Sequence, residues 1–317
     1  MSRSRRWDVL GIGDAGVDIF LRVERLPGRD EKIMGECLGE YPGGVVANFC
    51  CAASRLGSRT ALATVVGDDL YGRMAIADLE AHEVDTGSVT IRQGGRTYFC
   101  VVNLDGSGEK ALTVVKTDCM LPGRSDVDPG AFAHARLVHL TSSDPSLAAW
   151  VASEAKTRNT IVSLDLEPAG AGAGLQALHE LLENVDLVFA NEAGLSTLVG
   201  DDLLAGARKV LHFGPRAVVV TMGSKGSLIV TRDNPAYVPA FRVAVVDTTG
   251  AGDCFNAAFV TGYLEGWSLV RCGRFATAAA AISVTRVGGR GALPSYGEVE
   301  EFLPEWSEGR LSRGGGH

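Results

Sequence analysis

The apolar positions along this chain fall into two rhythms. Near the start they alternate. Val17, Ile19, Leu21 and Val23 are interleaved with Asp18, Phe20, Arg22 and Glu24, a period of two that predicts a strand. Residues 7–11 read as a short apolar strand before it. Leu26-Pro27-Gly28 reads as a turn and residues 32–38 as a second short strand after it. Gly43-Gly44 precedes a helical run over residues 46–56, which Gly57 stops. A strand over residues 60–66 and a helix over 71–82 follow. Residues 97–104 and 110–115 flank Asp105-Gly106-Ser107-Gly108 and read as a hairpin.

Beyond this point strand and helix alternate. Short apolar runs at 137–140, 160–164, 187–190 and 217–221 are separated by helical segments at 147–156, 175–183 and 202–212. That is the pattern of a parallel sheet covered by helices on both faces. Residues 270–285 read as a buried, alanine-rich helix. No repeat and no compositional break marks a linker. The expectation is one α/β domain over residues 1–310, with a disordered tail at 311–317. The amphipathic strands at about 17–38 and 97–115 are too few for a domain of their own. They predict a small sheet that covers the active site or, because short strand edges need cover, pairs with a second copy in a homodimer.

Composition narrows the class. Of 317 residues 46% are hydrophobic and 21% charged, as in a soluble globular protein. A net charge of -8 argues against a nucleic-acid surface. No apolar run approaches the roughly 18 residues that span a bilayer, so no membrane partner is expected. The basic start is interrupted by Asp8, Asp14 and Asp18, unlike a signal peptide. The seven cysteines form no C-x-x-C pair and read as reduced thiols, which places the protein in the cytoplasm.

Several motifs invite chemistry. Gly11-Ile-Gly13-Asp-Ala-Gly16 fits the dinucleotide pattern G-x-G-x-x-G, but that site needs a helix next, and here a period-two strand follows. Asp18, on that strand, either points into the crevice at the carboxyl edge of the sheet or is a solvated strand residue. No P-loop, H-E-x-x-H or G-x-S-x-G is present, and the histidines show no ligand spacing. Gly43-Gly44 is a tight turn or a close approach to a ligand, and Asn48 in the following first turn could reach a polyhydroxy compound. Thr221-Met-Gly223-Ser-Lys-Gly226 reads as a turn or as a nucleotide phosphate contact.

Asp247-Thr-Thr249-Gly250-Ala251-Gly252-Asp253 is the most informative stretch. An apolar run at 243–246 precedes it and a helical run follows, so a strand-to-helix turn is expected. Free amides and the helix dipole make such a turn an anion site. An acid at its mouth suits removal of a proton from an attacking hydroxyl. The combination suggests phosphoryl transfer to an alcohol. Helix capping by Asp253 would explain one acid, but not both together with the glycines.

The run from Asp247 to Asn256 resembles the C-terminal signature of the ribokinase-like (PfkB) carbohydrate kinases. Gly43-Gly44-Val-Val-Ala-Asn48 with Ala53-Ser-Arg-Leu-Gly57 resembles their N-terminal signature. Gly67-Asp68-Asp69-Leu-Tyr-Gly72, Val84-Asp85-Thr86 and the run 278–286 before Gly288-Gly289 are similar to further family positions, so the resemblance spans residues 7–303. It implies a three-layer α/β fold with a mostly parallel sheet and a small β lid. It implies transfer of the γ-phosphoryl group of ATP to a sugar hydroxyl, with Asp253 as base and the amides of Gly250, Ala251 and Gly252 stabilising the phosphoryl oxygens. Asp18, Gly43, Gly44 and Asn48 would hold the sugar. Thr221, Gly223 and Gly226 would line the ATP site, with Asn191 near the phosphates and Thr277 near the adenine. Mg2+ would bridge the phosphates. Asp247 and Thr249, with carbonyls near residues 284–289, would form a monovalent-cation site for K+.

Two departures stand out. The family's N-x-x-E motif appears as Asn191-Glu192-Ala193-Gly194, without its glutamate, and Val45-Val46 replaces the Lys-Gly common in ribokinases. The second argues against ribose as acceptor. The alternatives are a nucleoside kinase, with Phe20, Tyr41 and Phe99 available for a base, and a catalytically weakened sugar-binding regulatory protein, for which the missing glutamate argues.

Overall fold

The computed structural model describes residues 5–106, 110–168 and 174–303. Among the described residues thirteen strands divide between two sheets. The larger contains β1 (Trp7–Ile12), β4 (Thr60–Gly67), β5 (Val89–Arg92), β8 (Ala135–Thr141), β9 (Ile161–Leu166), β10 (Leu187–Asn191), β11 (Ala217–Thr221), β12 (Ser227–Val230) and β13 (Ala236–Val238). Their order is β13-β12-β11-β10-β9-β8-β1-β4-β5. The run from β11 to β5 is parallel, and β12 and β13 join antiparallel at one edge.

Side chains on a strand alternate between faces, and both faces here are covered, so near-continuous apolar runs are required. Val9, Leu137, Phe189 and Val219 point to one layer, while their neighbours Leu10, Val138, Val188 and Val218 point to the other. The first layer is built by α1 (Val45–Arg55), α2 (Leu70–Ala81), α7 (Ala251–Leu264), α8 (Leu269–Ser283) and α9 (Tyr296–Phe302). The second is built by α3 (Pro145–Thr157), α4 (His179–Leu182), α5 (Glu192–Val199) and α6 (Leu203–Leu211).

The small sheet has the order β3-β2-β6-β7, from β2 (Gly16–Val23), β3 (Gly35–Gly43), β6 (Phe99–Leu104) and β7 (Lys110–Val115). It has its own core of Phe20, Cys100 and Val102, against which Leu38, Tyr41 and Leu104 pack. This is the small sheet expected from the two amphipathic segments, proposed below as a lid.

The structure departs from expectation at particular places. The strand expected at 32–38 begins later and runs to Gly43, because its partner β2 pairs as far back as Gly16. No strand forms at 243–246. Val245 and Val246 are 60% and 58% exposed, and the segment has no strand to pair with. It is held instead by Val246 N and Asp247 N, which both donate to Val284 O at the end of α8 (2.8 and 3.2 Å). The helix expected over 175–183 divides into a 3-10 turn at Leu175–Leu178 and the short α4. β5, α5 and α9 are additions to the sequence reading. The hairpin tip at residues 107–109 and the expected tail at 311–317 lie outside the described residues.

Phe259 of α7 is fully buried and meets Phe189 of β10 edge-on, with ring centroids 5.4 Å apart. Truncating it leaves a cavity between α7 and the sheet. Phe259→Ala is expected to cost about 3–5 kcal/mol, seen as a lower urea midpoint with an unchanged slope.

Candidate active site

Ligands of open α/β sheets bind beyond the carboxyl ends of the strands, and there the chain turns from β1 into Asp14. Asp14 is a hub that the motifs do not flag. Its carboxylate accepts from Val45 N and Val46 N, both at 3.0 Å, and from Tyr98 OH at 2.6 Å. It thereby satisfies the first amides of α1, which otherwise lack partners. The glycines of the rejected dinucleotide pattern have a packing cause: a Cβ on Gly13 would lie 2.3 Å from Val46 Cγ2, and one on Gly11 2.5 Å from Cys50 Sγ. They let β1 approach α1 closely. The strand expected after them is present as β2.

The four residues predicted to hold a sugar gather around this end of α1. Gly44 has φ 103°, and a Cβ there would meet Asp14 O at 2.8 Å. A Cβ on Gly43 would lie 2.5 Å from Asp18 Oδ2, so the half-buried Asp18 carboxylate rests on the backbone of the turn. Withdrawal from water raises the Asp18 carboxyl to about 6, with Arg290 opposing and Asp14 and Asp247 reinforcing the shift. Buried Asn48 donates from Nδ2 to Asp253 Oδ2 at 2.9 Å.

Arg290 is the second residue that no motif singles out. It donates from Nε to Asn48 Oδ1 (2.9 Å) and from Nη2 to Gly43 O (2.9 Å), and it pairs with Asp78 of α2. Its side chain is only 7% exposed, so its charge needs these partners. An arginine only donates, which forces the oxygen of Asn48 toward Arg290 and the NH2 toward Asp253.

Asp253 stands in the first turn of α7. Withdrawal from water raises its carboxyl well above the usual range. The Asn48 hydrogen bond opposes the shift, and the charges of Asp165, Glu167 and Asp14 reinforce it. Asp165 accepts from Asn256 Nδ2 at 3.0 Å, and burial pushes it up to about 7. Glu167 accepts from Ser143 Oγ at 2.9 Å and is also raised, first by burial and then by Asp14.

The three residues of the predicted anion hole behave differently. Gly250 caps α7 with φ 72°, and a Cβ there would meet Gly289 O at 2.7 Å. Ala251 N donates back to Thr248 O at 3.3 Å. Gly252 is exposed, with open space where a Cβ would be. The first backbone bond of α7 runs from Cys254 N to Gly250 O (2.9 Å), so the amides of Gly252 and Asp253 precede the helical ladder. The packing accounts for glycine at 250 and leaves 252 as room for a ligand.

A cleft of about 760 Å3 opens beside this helix end. Thr221, Gly223, Gly226, Gly252 and Thr277 all line it, with Phe255 among its apolar walls. Thr221 is the last residue of β11 and pairs in register with Asn191 of β10, so Asn191 stands at the same sheet edge. Its side chain accepts from Gly194 N at 2.7 Å and caps α5. The missing glutamate has a steric counterpart, because a Cβ at Gly194 would lie 2.7 Å from Leu166 O. Glu192 does not take over its place, since it pairs with Lys225 at 2.9 Å.

Asp247 Oδ2 accepts from Gly288 N (2.8 Å), and its Oδ1 accepts from Thr249 N (2.9 Å) and Thr249 Oγ1 (2.7 Å). A third unflagged residue, Lys110 of the lid, reaches the same pair. Its Nζ donates to Thr249 Oγ1 at 2.8 Å and to Asp247 Oδ1 at 3.2 Å. Burial alone would raise the Asp247 carboxyl, but the Gly288 and Thr249 donors and Lys110 outweigh it and hold the group below its usual range.

A carboxylate over a helix N-terminus, with a polar recess on one side and a nucleotide-sized cleft on the other, defines a phosphotransferase with an alcohol acceptor. The pfkB family carbohydrate kinase model matches residues 8–295. The chain is 34% identical over 298 residues to the ATP-dependent ribose-1-phosphate kinase of Halopiger xanaduensis, across 94% of this chain and 98% of that one. It is 29% identical over 310 residues to the nucleoside kinase of Methanothermobacter thermautotrophicus, across 96% and 98%. The structure of Arabidopsis thaliana ribokinase complexed with ribose and ATP has a TM-score of 0.83 at 29% identity, over 93% of this chain and 97% of that one. This chain belongs to the pfkB family of carbohydrate kinases.

Two measurements follow from the site. Gly250→Ala is expected to lower the melting temperature, because of its positive φ and the contact with Gly289. Gly252→Ala should stay within about 0.5 kcal/mol of the parent yet lose turnover. Equal melting temperatures for the two variants would contradict this division. The second concerns pH. A base works only when ionised, so with a raised carboxyl at Asp253 kcat/KM should fall as pH drops through that raised value. Asp165→Asn removes one neighbouring charge, and the acid limb should move to lower pH. A limb that stays in place or moves upward would contradict the electrostatic origin of the shift.

Proposed function

We propose that the chain acts as a single kinase domain that transfers the γ-phosphoryl group of ATP to a hydroxyl of a small sugar. One observation carries the reading: Asn48, on the sugar side, holds Asp253 Oδ2 at 2.9 Å over the N-terminus of α7, beside the cleft that Gly252 and Thr277 line. With Oδ2 so engaged, Oδ1 takes the hydroxyl proton. The sugar rests against Asp18, Gly43 and Gly44, and the amide of Gly252 with the dipole of α7 receives the travelling phosphoryl group. Asn191, Thr221, Gly223 and Gly226 line the phosphate side of the nucleotide, and Thr277 the adenine side.

Mg2+ keeps most of its waters and binds largely through substrate phosphates. With position 194 closed and Glu192 paired to Lys225, Glu167 is the carboxylate that would hold it. It would neutralise phosphate charge there. Asp247 and Thr249 are not given a K+ ion in this reading, because Lys110 already holds both.

The lid favours a sugar over a nucleoside. Phe20 is fully buried within the lid, and Phe99 packs on Tyr71 at 5.8 Å, which leaves Tyr41 at the edge of the Gly288 loop. The lid also carries our proposed homodimer contact, since Leu112 and Val114 of β7 are 56% and 50% exposed. The free cysteines support a reducing, cytoplasmic setting.

Release of ADP measured across pentoses, ketohexoses, pentose 1-phosphates and nucleosides identifies the acceptor class. Turnover with nucleosides alone would favour the nucleoside kinase reading, and none at all the regulatory one. Asp253→Asn should lower kcat by at least about 10²-fold with ATP affinity little changed. Near-parental turnover would remove Asp253 from the role of base.

A further inference from the structure

Lys110 joins the lid to the Asp247 loop. Lys110 opens β7, in register with Leu104 on β6, and its side chain crosses to the loop that leads into α7. The ion pair is sheltered, with Lys110 26% and Asp247 8% exposed. Asp18, on the sugar side, also feels both the Lys110 and the Asp247 charge.

The side-chain oxygens of Asp247 and the Val284 carbonyl are already in use. Asp247 Oδ1 has Lys110 and Thr249, and Oδ2 has the Gly288 amide. The Val284 carbonyl accepts two amides, from Val246 and Asp247. A loosely hydrated monovalent ion needs several such oxygens at once, whereas an ammonium needs only two or three acceptors. These oxygens therefore fit the ammonium that engages Asp247 and Thr249 and are not free for an additional ion.

We propose that Lys110 is a built-in cation. Its ammonium supplies the positive charge that this loop requires and makes the enzyme independent of K+. Because that charge rides on the lid, the closed lid and the ordered anion-hole loop become one state. Lys110 touches neither reacting group; it is a positioning residue that acts through Asp247 and Thr249. The inference rests on the kinase reading for its effect on turnover, but not for its effect on cation binding.

The test compares the parent with Lys110→Ala in KCl, in NH4Cl and in tetramethylammonium chloride at equal ionic strength. The parent should turn over equally in all three. Lys110→Ala should lose about tenfold or more in kcat in tetramethylammonium and regain most of it in K+ or NH4+, small cations that enter the vacated space. Melting temperatures need no turnover. K+ should raise that of Lys110→Ala above its value in tetramethylammonium and leave the parent unmoved. Activation or stabilisation of the parent by K+ would overturn the proposal. So would a Lys110→Ala variant that equals the parent without K+, or one that is folded and impaired but does not respond to K+. A parent inactive toward every acceptor would remove the kinase reading alone, and the melting comparison would still decide the cation.

Discussion

The proposed reaction centre depends on one hydrogen bond, from Asn48 in α1 to Asp253 in α7. The two residues are 205 positions apart, and only the close packing of both helices on the same face of the sheet brings them together. Both helices begin at the carboxyl edge, so two partially positive ends converge on one carboxylate. That convergence makes the cluster of Asp14, Asp165, Glu167 and Asp253 tolerable, because each acid is matched to amides, hydroxyls or an amide side chain. Remove the orientation that Arg290 imposes on Asn48, and an oxygen can turn toward Asp253. Asp253 would then face a lone pair instead of a donor.

Most of the architecture was legible because its causes are local. A parallel sheet buried on both faces writes continuous apolar runs, and a lid buried on one face writes alternation, so both sheets appear in the chain before any coordinates are known. The signatures around Asn48 and Asp253 were legible for a similar reason: each is a short turn whose glycines and polar residues act within a few positions. What stayed hidden depends on partners distant in sequence. Asp14 looked like an interruption of an apolar run, yet it caps a helix 31 residues away. Arg290 sits among glycines in a loop and shows its role only when α1 and α2 close around it. The β-branched run at 243–246 misled because strand propensity means little without a neighbouring strand.

The glycines show how motif and cause can separate. Gly11 and Gly13 look like a nucleotide site and serve helix packing. Gly43, Gly44 and Gly250 sit in family signatures, but their bare backbones are also demanded by neighbouring protein atoms. Gly252 alone in the DTTGAGD loop has empty space before it and exposed backbone at a helix start. A glycine that packing does not require, placed where amides await partners, points to a ligand more directly than the motif does. Gly194 is the inverse case. There the backbone carbonyl of Leu166 fills the place of a side chain, so the lost glutamate belongs to the local packing and is not an isolated sequence change.

Charge then sets what the lid can do. The transferred group is anionic, and the centre already holds more carboxylates than cations. Arg290 is committed to Asn48, Gly43 and Asp78, and it belongs to the fixed part of the molecule. Lys110 belongs to the lid. Moving the lid away would leave Asp247 with its amide partners but without its counter-charge, next to the loop proposed as the anion hole. Asp18 lies on β2 of the same small sheet, so it would leave Arg290 and Asp247 together with Lys110. In the proposed reading the open state is thereby less fit to stabilise the phosphoryl group. An enzyme built as proposed would limit phosphoryl transfer to water, because the charge that favours transfer arrives with the cover that excludes water.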